Sequence, residues 1–115
     1  MVAHYNVNFS AANNEDLRQP FRLTDEADVP SDLTGATLSM SFEDANLNDV
    51  LAASTANGRI VITAPLTGDF EVRIPAAVLA PIRSGVYAHD LVWTSAAGVV
   101  RRVWRGTLAL DRGVT

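Results

Sequence analysis

The chain has 115 residues, a formal net charge of −4 and no cysteine. That length suits one domain with a workable core, and the acidic balance argues against a general nucleic-acid or anionic-membrane binder, which would be basic. Without cysteine, neither disulfides nor a thiolate metal site can hold the domain together.

In chain order, His4 to Phe9 alternates, with Tyr5, Val7 and Phe9 on one side, and reads as a half-buried first strand. Ala11 to Gln19 reads as a polar loop and Phe21 to Thr24 as a short strand. Asp25 to Asp32 is an acidic loop with a proline turn. Ala36 to Glu43 alternates cleanly, with Leu38, Met40 and Phe42 on one face. Asp44 to Asn57 is ambiguous, because Leu47, Val50 and Leu51 sit at helical spacing. Asn57-Gly58 favours a tight turn, and Arg59 to Thr63 follows as a strand.

Pro65 to Gly68 is another turn, and Asp69 to Ile74 is a strand with Phe70, Val72 and Ile74 inward. Pro75 to Pro81 allows one helical turn at most. The chain closes on its densest segment, a hairpin from Gly85 to Leu110 turning at Ser95 to Gly98, with Gly98 at a position needing positive φ. About seven or eight short antiparallel strands joined by Gly, Pro and Asn turns predict an all-β single domain spanning residues 1–115, a β-sandwich or small barrel.

The hairpin concentrates the chemistry. Tyr87, His89, Leu91 and Trp93 share one face of its first strand. Asp90, mid-strand, is an unfavourable carboxylate unless paired, and Arg101, Arg102 or Arg105 across the turn would satisfy it; the pair Asp90–Arg101 is the one expected. Trp93 and Trp104 are core aromatics or a platform for a sugar or partner. His4 and His89 are the only histidines and lack metal-ligand spacing, so no metal site is expected. The acidic loop (Asp25, Glu26, Asp28, Asp32) lacks the ligand order of an EF-hand. No Gly-x-Ser-x-Gly elbow, acid–base pair or phosphate-cradling loop is present, so neither enzymatic activity nor a cofactor is expected. All nine cationic residues are Arg, which with abundant Ala reflects GC-rich codon usage.

Four fragments in this order, Asp32 to Met40, Asn57 to Ile62, Gly68 to Pro75 and Ser84 to Leu91, extended by Gly98 to Gly106 and Gly113 to Thr115, resemble small tail or baseplate domains of bacteriophages and prophages. The N-terminal domain of phage baseplate upper proteins is among them. The resemblance runs from about Phe21 to the C-terminus and is weaker over the first twenty residues. It implies an immunoglobulin-like β-sandwich acting as a non-enzymatic adaptor, with other tail or baseplate proteins as partners and a homo-oligomer as an option. Its place would be the virion tail, or the bacterial cytoplasm before assembly. The candidate interface residues are Tyr87, Arg102, Trp104 and Arg105, since aromatics and Arg dominate interface energetics. The rival is a β-sandwich carbohydrate-binding module using exposed Trp residues. Met1 to Asn6 lacks a signal-peptide pattern, and no apolar run approaches the ~20 residues of a membrane span.

Overall fold

A computed structural model describes residues 5–112 except 26 and 28. Among the described residues eight strands form two sheets: β1 (Tyr5–Ala12), β2 (Leu17–Arg22), β3 (Thr37–Glu43), β4 (Asp49–Ser54), β5 (Ile60–Ala64), β6 (Asp69–Ile74), β7 (Gly85–Thr94) and β8 (Val100–Asp111). The larger sheet runs β1-β8-β7-β3-β4 and the smaller β2-β6-β5. One helical turn, α1 (Ala76–Leu79), and a 3-10 turn at Pro65–Thr67 complete the elements.

This strand order is that of an immunoglobulin-like sandwich, with a two-hairpin sheet facing a three-stranded one. The all-β sandwich is therefore as expected, with one correction. β1 pairs with β8 in parallel, because the first strand lies beside the last and both run the same way. All other strand pairs are antiparallel.

The alternating residues go where their period sends them. Leu38, Met40 and Phe42 of β3 and Phe70, Val72 and Ile74 of β6 are fully buried, facing one another across the two layers. On its outward side the small sheet carries a charge ladder, with Arg18 bridging Glu71 and Arg22 bridging Asp69 at 2.6 Å. The Arg22 hydrogen bond, helped by Thr67, holds the Asp69 carboxyl below its ordinary range.

One ambiguity resolves and one reading fails, both for local reasons. Asp44–Asn57 is a turn and a strand rather than helical turns. The Asp44 carboxylate accepts the backbone N–H groups of Asn46 and Asn48, and Leu47 takes φ 63°, so the chain reverses before a helix can start. The stretch assigned to loop at Ala11–Gln19 is instead mostly strand, with β1 running to Ala12 and β2 starting at Leu17. Pro20 is tolerated there because β2 is an edge strand.

Tyr87, near the start of β7, donates a hydrogen bond from its hydroxyl to the Arg83 carbonyl. This is the tyrosine corner of immunoglobulin-like sandwiches, in which the corner residue stands two positions before the second cysteine of the inter-sheet disulfide. Here that second position is His89. That residue is 4% exposed, and its ring lies 5.1 Å from the Phe9 ring and 5.4 Å from that of Phe42. Trp104 completes the group, 4.7 Å from Phe21 and 5.8 Å from Phe70. Aromatic packing between the layers occupies the place of a disulfide.

Candidate functional site

The β7–β8 hairpin places most of the residues singled out in the sequence. Its turn forms as read: Gly98 N–H donates to Ser95 O at 2.9 Å, with Gly98 at φ 86°. The ladder then breaks once, because Leu91 faces Trp104 while Val92 faces Arg102. Val103 is the extra residue of a β-bulge, and from there to the tip β8 exchanges its faces.

That bulge decides the ion pair. In an unbroken ladder Arg102 and Arg105 would point to opposite faces. With Val103 inserted, both lie on the face of Asp90, Arg105 directly across and Arg102 diagonally. Arg102 Nε sits 3.3 Å from Asp90 Oδ2. The expected Asp90–Arg101 pair is therefore corrected: Arg101 is opposite Trp93, on the other face. The bulge leaves no composition signal, and no pattern in the sequence could have located it.

The interface candidates divide the same way. Arg102 and Arg105 are exposed, as docking side chains would be. Trp104 is 3% and Tyr87 7% exposed, so neither ring can meet a partner. Both are corrected to core roles, Trp104 in the aromatic group and Tyr87 as the corner. Trp93 is half-buried and borders a pocket of about 160 Å³ with Leu23, Val29, Pro30 and Val103. The Tyr-x-His spacing was the signal available for the corner, with His where an immunoglobulin domain has Cys.

On the outward face of the large sheet a shallow concavity of about 570 Å³ is bordered by Asn8, Ser41, Glu43, Asp90, Arg102, Arg105 and Thr107. Its two carboxylates and two guanidiniums make a charge-balanced, hydrogen-bonding surface. Asn8 Oδ1 accepts from both the backbone N–H and the hydroxyl of Thr107, at 3.0 and 2.9 Å, which ties β1 to β8 at its border.

His89 lies on the opposite side of this sheet, within the core. Trp104 Nε1 donates to its Nδ1 at 3.3 Å, which fixes the neutral tautomer with the proton on Nε2. Among the described residues Nε2 itself finds no hydrogen-bond partner of ordinary geometry. Burial pushes the imidazole pKa down, against a weaker upward pull from backbone groups of Thr107 and Val7 and from Asp90. In the acidic loop, Asp25 accepts from the N–H groups of Ala27 and Val29, and Asp32 from Thr34. Glu26 and Asp28 fall outside the described residues, as do His4 and Gly113–Thr115. Among the described residues no three His, Cys, Asp or Glu side chains are grouped to hold a metal, and no helix is long and apolar enough to cross a membrane.

No protein-family model and no curated protein matches the chain. The functional reading therefore stands on the geometry and on the resemblance of its fragments.

Proposed function

We propose that this chain is a non-enzymatic adaptor of a phage or phage-derived tail, a baseplate or tail-tip module that works by protein–protein contact. The observation that carries the reading is the placement of exposed apolar side chains on the large sheet. Leu47 and Val86 lie at one end of that sheet, and Val99 and Val100 at the other, all at least half exposed, as are Val29 and Leu66 in the loops. The molecule is elongated, 42 × 26 × 23 Å. Apolar groups at both ends of a rigid sandwich suit a module that meets neighbours end-on, since such groups gain from contact only when a partner covers them. The fragment resemblance supplies the class of assembly, and the exposed Arg102 and Arg105 add polar contacts on the flank.

The carbohydrate-binding alternative relied on an exposed Trp pair. Burial of Trp104 removes half of that platform, which weighs against it.

Immunogold electron microscopy of tail particles from a strain producing the chain tests the proposal. Label at a fixed place on the tail is expected. Particles that assemble fully without carrying the chain would sink it, and binding to a glycan array alongside that result would revive the alternative.

A further inference from the structure

The sandwich has four strand edges, and they are not treated alike. On the small sheet, β2 carries Pro20 between Arg18 and Arg22, and β5 is bulged between Ile62 and Ala64. On the large sheet, β4 is bulged against β3 and its outer groups are covered: Asn57 Oδ1 accepts from Ser54 N–H, while Asn57 Nδ2 and Arg59 Nη1 both donate to Ala52 O. Prolines, charges, bulges and covering side chains are the devices that keep edges from pairing with other chains.

β1 has none of them. It is the longest edge, with eight residues and no charge or proline, and its register with β8 is unbroken from Tyr5 to Ala12. Alternate N–H and C=O groups along it point away from β8, and no described strand lies beyond. Asn8 and Ser10 are exposed, whereas Val7, Phe9 and Ala11 are only partly buried against the core.

We propose that β1 is a self-complementary docking strand whose occupant is the β1 of a second copy, antiparallel about a two-fold axis through Phe9. An antiparallel pair keeps like faces together only when it is centred on a residue. Centred on Phe9, the pairing sets Val7 against Ala11 and Asn8 against Ser10, twice each, with Phe9 against its own copy. Apolar meets apolar on the core side and polar meets polar outside. Asn8 uses Oδ1 toward Thr107, which leaves its Nδ2 to donate to the partner's hydroxyl. No charged residue within β1 opposes the pairing. Two five-stranded sheets become one of ten, by an isologous contact that closes after two copies. A single strand-pair edge is a small interface, so the association is in the weak, micromolar class.

This inference deepens the adaptor reading by naming one partner surface, yet it fails separately. If the chain stays monomeric but is carried on tail particles, only the β1 pairing is lost.

Sedimentation equilibrium from micromolar to millimolar protein, on the wild type and two variants of the exposed Ser10, provides the test. Across the proposed register the two copies of position 10 are diagonal neighbours, roughly 7–8 Å apart. Ser10→Lys and Ser10→Glu are each expected to weaken dimerisation about fivefold, and an equimolar mixture of the two to recover wild-type affinity or better. Circular dichroism should show all three folded alike, since Ser10 is solvent-facing. A wild type monomeric throughout overturns the proposal. So does a dimer that neither variant weakens, or a mixture no tighter than either variant alone.

Discussion

The two halves of the β7–β8 hairpin differ across one inserted residue. From Leu91 and Trp104 toward Gly85 and Leu110, the ladder is regular and its inner side builds the core through Tyr87, His89, Leu91, Trp104 and Leu108. From Val92 and Arg102 to the tip, the faces of β8 are exchanged, Arg101 stands against the half-buried Trp93, and the strands frame surface pockets. The same residue types thus serve cohesion on one side of Val103 and surface on the other. Position relative to the bulge, rather than composition, assigns the role.

The largest expected effect contrasts the two indoles. Trp104→Ala should lose about 3–5 kcal/mol in urea unfolding, because it empties the centre of an aromatic group, while Trp93→Ala should lose about 1–2 kcal/mol at its half-buried site. Equal losses would break the distinction between the halves.

Next is the buried imidazole of the core half. Its folded pKa lies below the ordinary histidine value, so the native state resists protonation that the unfolded chain accepts. Stability is therefore full above about pH 6.5, the unfolded value, and falls as the pH drops through it toward the depressed folded pKa. Protonated Nδ1 would also confront the Trp104 N–H donor. Unfolding free energies measured between pH 8 and 5 should show this decline, and His89→Phe should flatten it. A slope unchanged in that variant would place its origin elsewhere.

The smallest effect belongs to the surface pair. Arg102 and Asp90 are both substantially solvent-exposed, so a double-mutant cycle with Arg102→Ala and Asp90→Ala should give a coupling of about 0.2–1 kcal/mol. A coupling well above that would mean the outward face is more enclosed than its exposure indicates.

How much of this was legible in the sequence follows from which forces leave a periodic trace. β3 and β6 declared themselves through strict alternation, because each has one face on the core. The Gly58 and Gly98 turns were equally plain, since positive φ selects glycine at both. β4 was hidden because Leu47, exposed in a turn, fell into helical spacing with Val50 and Leu51. The bulge at Val103 was invisible, as any residue can be the inserted one, and with it went the partner of Asp90. Tyr87 and Trp104 looked like docking residues because aromatic type alone does not distinguish an interface from a core.

Gly106 faces both His89 and Val7 in the ladders, and a Cβ there would come within 1.8 Å of the Val7 carbonyl oxygen. The first strand occupies the room that a side chain would have taken, and Asn8 reaches Thr107, 99 residues further along. Few contacts in a chain of this size enclose so long a loop, and loop closure of that kind costs entropy before it is rewarded. On the ribosome β1 emerges 99 residues before its berth on β8. The strand waits while the intervening strands are made, which makes its seating the step where translation rate and the crowding of sibling chains decide whether it finds its own β8.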